Sequence, residues 1–526
     1  MTTSTRPRTT GAERRPSAPP RGSRPEPRRL RGPAWLDGPM TSCHLVLGAA
    51  GLLLTIGLVM VFSASSIEAA LAHEPVWAPG VQQVLWAFLG VLAMLAALRM
   101  PAGFLRRWSP IALIGVAFLL LLVLVPGIGM RINGARQWFN LGVAHLQPSE
   151  VAKLVFALWG AHVLALRERY MTTKSLLVPV LPAFGVLSLL LIVEPDFGSV
   201  VSLGLVLAGL LWGAGMPMKY FGWFTLLAAG LIAIMIQAAP YRMARVTSFL
   251  HPFADQSGSG FQAVHGMYAL ATGGFWGVGL GNSAMKWDLL PHAESDYIFA
   301  IIGEELGFLG CLVVVTLYGV LAYAGFRIAR RSTDRFIQLA SVAITVWIIG
   351  QAAMNMGYVV GLLPVTGVQL PLISAGGTSL VLTLFIVGLL ARFARSEPAA
   401  IESQRTRTRS RISRILLPVP AAAVDPVRPR HRPHGAMPGR PHVSAGRTVI
   451  SARGAAPRRH PMADERPGVP EGAPVAGRSR PVGERRPPGE RRPAGERRPE
   501  PASSPRSAAG RRQPPSGAPR RPGGAR

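Results

Sequence analysis

A long polar stretch between two apolar segments carries most of the residues that are able to do chemistry. Residues 239–296 contain Arg242, Arg245 and Lys286, and they end at Asp296, where the chain returns to an apolar segment. Long loops in compact proteins are usually functional or disordered, and this one is too rich in aromatic residues for a plain linker. We therefore expect the chemistry here, with Asp296 either capping a helix or acting as a general base.

The next acid after Asp296 is too distant to pair with it. Glu304 follows eight residues later, which is about 12 Å along a helix at 1.5 Å per residue. This distance disfavours the two-carboxylate arrangement of glycosidases. It favours a single base that works with nearby cations.

A second group of polar residues stands where another apolar segment begins. Arg136 and Trp138 precede Pro148, which suits the first position of a helix, and Glu150 and Lys153 follow on one helix face. Two interpretations remain open. The residues either form a capped helix start with an internal ion pair, or they line a cavity within the membrane.

Two proline-containing turns lie on the same side of the predicted bundle. Residues 194–196 read Glu-Pro-Asp, which a tight capped turn explains fully. Residues 355–379 contain two prolines and several glycines between two apolar segments. Irregular backbone at membrane depth is tolerated only where it is buried in protein or lines a cavity, and it occurs in enzymes and carriers alike.

The elements that must position these residues are apolar segments, each long enough to cross about 30 Å of hydrocarbon, for which roughly 20 helical residues suffice. They lack the alternation of barrel strands, so we expect helices. The sequence predicts an all-α polytopic membrane protein with about ten transmembrane helices and one large extracytoplasmic loop. The ten segments lie near residues 44–65, 81–100, 109–125, 148–166, 175–193, 197–214, 219–238, 297–325, 337–360 and 375–394.

The formal net charge of +30 comes mainly from the two ends of the chain. Residues 1–39 hold nine Arg and three acids, and residues 396–526 hold 28 Arg and ten acids. Both tails are poor in large apolar residues, so burial cannot offset the entropy lost on ordering. We predict two disordered basic tails around a membrane domain at 40–395.

The distribution of Lys and Arg predicts the orientation in the membrane. With the N-terminus inside, thirteen cations of the membrane domain fall on the inner side and five on the outer side. Cytoplasmic loops carry the excess of cations, so both tails are predicted to be cytoplasmic and the loop 239–296 to face out. Cations on the outer side indicate either an anionic ligand or surface ion pairs.

Composition also bears on partners and metals. The basic tails suit anionic lipid headgroups or acidic proteins. Membrane attachment and the lack of a binding fold argue against nucleic acid. Cys43 and Cys311 argue against a structural disulfide, and the sequence has no metal-ligand spacing.

The ordered set of motifs resembles the FtsW/RodA/SpoVE family, also called SEDS (shape, elongation, division and sporulation). Residues 355–379, ending in Ser-Ala-Gly-Gly-Thr-Ser, follow the family motif, with Gln369 where proline is common and Ala375 where tyrosine is common. The matching motif positions are Asn355, Pro364, Thr366, Gly367, Pro371, Ser374, Gly376, Gly377 and Ser379. Further similar stretches lie at 134–138, 147–153, 194–199, 281–283 and 303–307.

The resemblance implies a peptidoglycan glycosyltransferase that polymerises lipid II outside the cytoplasmic membrane. It places the catalytic acid at Asp296, which would take the proton from the 4-hydroxyl of an acceptor sugar while undecaprenyl pyrophosphate leaves the donor. A divalent cation, Mg²⁺ or Mn²⁺, is compatible with this reaction, but no ligands for it are specified. The candidate substrate contacts are Arg242, Arg245, Lys286, Arg136, Trp138, Glu150, Lys153, Gln262 and Asn282.

The resemblance also implies partners and a location. Family members work with a class B penicillin-binding protein that cross-links the new glycan, and the tails are candidate contacts for other division proteins. The long tails and the motif form resemble the actinobacterial FtsW branch more than RodA, which implies the division septum. The alternatives are a lipid II flippase or carrier, the elongation polymerase, and a scaffold that only recruits division proteins.

Overall fold

The computed structural model of the chain describes residues 34–132, 135–140, 145–168, 172–237, 251–254, 260–287 and 293–406, with Met1, Gly142, Phe249 and Leu290 as single residues. The predicted loop cations Arg242 and Arg245 lie outside these ranges, as do most of both tails.

Helices occupy all ten predicted positions. Eight of them are long and apolar enough to cross a membrane, whereas Phe197–Gly213 has only 17 residues. Within the described residues the helices are α1 Thr41–Leu71, α2 Ala78–Arg99, α3 Ala102–Val123, α4 Pro148–Leu166, α5 Thr173–Val193, α6 Phe197–Gly213, α7 Met218–Gln237, α8 Phe261–Gly273, α9 Ile298–Arg331, α10 Arg335–Val359, α11 Gly377–Ala394 and α12 Pro398–Thr406. The prediction of an all-α polytopic membrane protein is confirmed.

Several helix starts follow from local sequence. Pro148 stands at the first position of α4, as predicted. The side chains of Thr172 and Asp196 cap α5 and α6 by accepting hydrogen bonds from the backbone N–H of Ser175 and Ser199. The turn at 194–196 is therefore a capped turn, as the sequence indicates.

Two elements correct or extend the sequence prediction. A small antiparallel sheet, not predicted, precedes α4; its strands are β1 Gly129–Ile132, β2 Ala135–Asn140 and β3 His145–Leu146, in the order β1-β2-β3. The prediction that disorder begins at residue 396 is wrong for α12, which buries Ala400, Ile401 and Gln404.

α9 is interrupted near its N-terminal end, and the long loop is hydrogen-bonded to the helix at this interruption. Gly307 has φ 67° and ψ −165°, which breaks the helix. The freed backbone groups bond to the loop: Val278 N–H donates to Glu304 O at 2.9 Å, and Phe308 N–H donates to Gly274 O at 2.9 Å. A side chain at Gly307 would also meet the loop, since a Cβ would lie 2.3 Å from the Gly277 nitrogen.

Among the eight candidate membrane helices, α10 is the most buried, with 72% of its most apolar 18-residue segment buried. Its C-terminal end, the start of α11 and the turn before α9 meet at one place. That meeting point positions the site described next.

Candidate active site

Asp296 lies in the turn directly before α9, and this turn is held by hydrogen bonds to its backbone. Ala375 N–H donates to Glu294 O at 2.9 Å. The Ser374 hydroxyl donates to Ser295 O at 2.6 Å. Both donors belong to the glycine-rich motif, so the motif fixes the turn without using the Asp296 carboxylate.

The carbonyl of Asp296 is held by two side chains at the C-terminal end of α10. Asn355 Nδ2 donates to Asp296 O at 2.9 Å, and the Tyr358 hydroxyl donates to the same oxygen at 2.7 Å. Asn355 also donates to Val368 O at 2.8 Å. With the bonds to residues 294 and 295, three consecutive carbonyls of the turn are bonded to residues of the 355–379 motif.

The structure does not support the interpretation of Asp296 as a helix cap. Tyr297 occupies the N-cap position of α9 and makes no side-chain cap bond. The Asp296 carboxylate is half-buried and lies near Gly367, where an added Cβ would be 3.6 Å from Oδ2. Gly367 has φ +67°, a conformation that favours glycine. The motif backbone thus passes close to the acid.

Asp296 lines a cavity of about 690 Å³ between strand β2, the starts of α4 and α6, and the segment 361–369. This volume lies within the range of small-molecule sites, roughly 300–1,000 Å³. The cavity brings together many of the residues singled out in the sequence: Trp138, Glu150, Lys153, Gln262, Asp296, Thr366 and Gly367.

The deep part of the cavity contains a charge pair from α4. Lys153 Nζ lies 2.7 Å from Glu150 Oε1, and the two side chains are 1% and 20% exposed. Lys153 Nζ also lies 5.3 Å from the Trp347 ring centroid, a cation–π distance. The sequence left a capped helix start with an internal ion pair and a cavity-lining pair open. In the structure the ion pair lines the cavity, and Gln147 at the N-cap of α4 makes no side-chain cap bond.

Sequence reasoning missed two glutamines in the cavity wall. Gln147 Nε2 donates to Asp196 Oδ2 at 3.1 Å, and the Ser149 hydroxyl donates to the same oxygen at 3.1 Å. Gln137 Nε2 donates to Glu194 O at 3.1 Å. These bonds join β2 and the start of α4 to the 194–196 turn. The signal available in the sequence was a glutamine directly before Pro148.

Glu194, next to this wall, is fully buried, and neither of its carboxylate oxygens has a hydrogen-bond partner in the described structure. Burial, together with the nearby Asp196 charge, raises the pKa of Glu194 from 4.5 to about 8. The side chain is therefore mainly protonated at neutral pH.

Three predicted substrate contacts lie elsewhere. The structure corrects the prediction that Lys286 contacts substrate. Its Nζ lies 2.6 Å from Glu305 Oε1, and the two side chains are 1% and 0% exposed. This cation is therefore paired with a carboxylate and buried away from the cavity. Arg136 Nη1 donates to Leu124 O at 3.4 Å and does not line the cavity. Asn282 is exposed, and its amide donates to Val278 O.

The described lining of the cavity is acidic in balance. Glu150, Asp196 and Asp296 stand against the single cation Lys153. Within the described ranges, no group of three or more His, Cys, Asp or Glu is placed to hold a metal ion. The described residues therefore do not identify ligands for a divalent cation. Arg242 and Arg245, which were predicted to contact substrate, lie outside the described residues.

Comparisons with known proteins agree with the motif pattern. The FtsW/RodA/SpoVE family, described as "Cell cycle protein", matches residues 43–398. The chain is 44% identical over 435 residues to the "Probable peptidoglycan glycosyltransferase FtsW" of Mycobacterium tuberculosis, covering 80% of this chain and 82% of that protein. It is 38% identical over 349 residues to "Stage V sporulation protein E" of Bacillus subtilis, covering 65% of this chain and 94% of that protein.

Solved structures share the fold. One is described as "Structural coordination of polymerization and crosslinking by a peptidoglycan synthase complex"; it has a TM-score of 0.57 and 26% identity, covering 67% of this chain and 97% of that chain. Another is RodA of Thermus thermophilus, with a TM-score of 0.51 and 24% identity, covering 67% of this chain and 96% of that chain.

Proposed function

Because the chain belongs to the FtsW/RodA/SpoVE family of cell cycle proteins, we propose that it is a peptidoglycan glycosyltransferase that polymerises lipid II with Asp296 as its general base. The observation that carries the proposal is the position of Asp296. Its carboxylate lines the outer cavity, while motif residues hold the backbone of its turn. A base needs this combination of access to substrate and fixed position.

In the proposed reaction, Asp296 accepts the proton of the 4-hydroxyl of the acceptor sugar. The resulting oxygen nucleophile attacks the anomeric carbon of the donor, and undecaprenyl pyrophosphate leaves. The leaving group is anionic, and cations placed where charge develops lower the barrier. We assign this role to Arg242 and Arg245, and we withdraw Lys286 and Arg136 from it because their positions do not face the cavity.

The biological setting follows from the family and from the charge distribution. We propose that both tails are cytoplasmic, that the cavity faces outwards, and that the protein acts at the division septum with a penicillin-binding protein that cross-links the strands. The relative named FtsW and the neighbour described as a peptidoglycan synthase complex support this setting. Septal enrichment of a fluorescent fusion supports the division role, whereas uniform lateral labelling supports the elongation role.

One assay separates the enzyme from its two alternatives. Purified protein in vesicles is given labelled lipid II, and both polymer and transbilayer movement are measured. Polymer supports the proposal; translocation without polymer supports a carrier; neither activity supports a scaffold. Asp296→Asn is the control, since it keeps the shape of the side chain and removes the base.

A further inference from the structure

A second outer cavity, of about 500 Å³, lies between the outer ends of α1 and α2 and the start of α11. We propose that it binds an N-acetylated sugar of the glycan strand, next to the sugar that reacts at Asp296. This inference rests on the proposed function. The residues on which it depends are Glu68, Gln83, Trp86, Glu294 and Ala375, all of which line this cavity.

Gln83 indicates a ligand with an N–H donor. It is 6% exposed, and Nε2 donates one hydrogen bond, to Ser374 O at 3.4 Å. Within the described part of the chain, no donor is bonded to its amide oxygen. A carboxamide oxygen can accept two hydrogen bonds, so this oxygen is able to accept a donor from a ligand in the cavity. Because Gln83 lines the cavity, an acetamido N–H of a bound sugar satisfies this oxygen.

The rest of the lining suits a sugar and not a phosphate. Carboxylates are acceptors for hydroxyl groups, and Glu68, Glu74 and Glu294 all line the cavity. Trp86 offers an aromatic face for the C–H face of a sugar ring, and it packs against Gly377, where an added Cβ would lie 2.8 Å from the indole. No Lys or Arg is among the described lining residues, so the pyrophosphate end of a substrate has no partner here.

The two cavities share a wall. Glu294 lines the second cavity, whereas Ser295 and Asp296 line the first. Two residues of extended chain span at most about 7 Å, so the cavities lie on either side of one turn. Gln369 lines the first cavity and donates to the carbonyl of Ala375, which lines the second, at 3.2 Å. Neighbouring sugars of one strand can therefore lie on opposite sides of this wall.

The position of Ala375 makes the second cavity a feature of this chain. The family resemblance places tyrosine here, and alanine adds only a methyl group to the lining. Ala375→Tyr is therefore a variant that fills the cavity with a large side chain. Gln83→Leu removes the amide at nearly the same volume, and Glu74→Gln is a milder change at an exposed position.

The test uses the purified full chain in nanodiscs, with tetra-N-acetylchitotetraose as the probe and saturation-transfer NMR as the readout. We expect Gln83→Leu and Ala375→Tyr to weaken probe binding by about tenfold or more. The exposed Trp223→Ala should bind the probe like the wild type. Thermal melting identifies folded variants, and Glu74→Gln, expected to weaken binding less, replaces any variant that fails to fold.

Polymerisation gives the second readout. We expect the cavity variants to make shorter strands than the wild type. Wild-type strand length together with wild-type probe binding in these variants would overturn the inference, as would the absence of probe binding by the wild type. Failure of the proposed function is distinct: the wild type would then make no polymer, while probe binding would still be measured.

Discussion

Two acidic groups stand at the N-terminal end of α9, and their hydrogen bonding differs. At Asp296 the backbone of the turn makes the fixing hydrogen bonds, and the carboxylate lines a cavity. At Glu304 and Glu305 the carboxylates make the bonds themselves. Glu305 pairs with Lys286, and Glu304 accepts hydrogen bonds from the Ser283 hydroxyl and the Ala284 N–H.

The difference shows how a charged residue is assigned to structure or to chemistry. Glu304 and Glu305 are fully buried, and the Ser63 hydroxyl donates to both oxygens of Glu305 at 2.9 Å. Carboxylates buried in this way are ion-paired or hydrogen-bonded, because a buried polar group without a partner is costly. A base, in contrast, must face the place where substrate binds. The second group fastens the loop, whereas Asp296 lines the cavity.

The largest expected effect is on the chemistry at Asp296. Asp296→Asn should lower the rate of lipid II polymerisation by at least about a hundredfold, because the amide cannot accept the proton. Its melting temperature should stay near that of the wild type, since the backbone carbonyl makes the fixing bonds. Rate and melting temperature are measured on the same preparation; an active Asn variant would contradict the assignment.

The next effect is on stability, at the buried pair. Lys286→Met should destabilise the protein by about 3–5 kcal/mol, because Glu305 then remains buried without its cation. The rate per folded molecule should remain near that of the wild type. Denaturant unfolding and polymerisation are compared with Lys219→Met, an exposed lysine on α7. A stable but inactive Lys286 variant would restore its predicted role at the substrate.

A smaller effect is expected at Tyr358, which holds the Asp296 carbonyl. Tyr358→Phe removes the hydroxyl that donates to the Asp296 carbonyl, while Asn355 still donates to that carbonyl, so kcat should fall by about tenfold or less with KM unchanged. Steady-state kinetics with lipid II measure kcat and KM separately, and Tyr323→Phe on α9 is the matched control. An increase in KM alone would indicate that Tyr358 binds substrate and does not position the base.

The smallest effect is a pH dependence from Glu194. Its pKa is about 8 in the folded state against an ordinary value of 4.5, so the folded protein holds the extra proton and stability falls as pH rises through this window. Glu194→Gln should match the wild type below about pH 4.5, become relatively more stable as pH rises, and melt a few degrees higher above about pH 8. Glu168→Gln, an exposed acid, is the control. A constant difference across pH would argue against this titration.

The sequence predicted most of the fold because long apolar segments are strong signals for membrane helices. The same signal does not report short elements. The strands of the small sheet have two to six residues and depend on each other for pairing. α12 lies in a stretch with few apolar residues, and it buries Ile401.

The site was only partly predictable for a different reason. The positions of Asp296, Glu150 and Lys153 follow from motifs close to them in sequence. The role of Lys286 depends on Glu305, which comes beside it only because α9 breaks at Gly307 and bonds to the loop. Charge and topology alone therefore assigned Lys286 to a ligand, and tertiary pairing corrected that assignment.

The most direct test of the central claim is a single-turnover measurement with Asp296→Asn. Labelled lipid II is bound to an excess of folded protein, and both its dissociation constant and the rate constant for the first glycosidic bond are determined. The account predicts unchanged binding and a rate constant reduced by at least about a hundredfold. Weakened binding with an unchanged rate constant would show that Asp296 holds the substrate and is not the base.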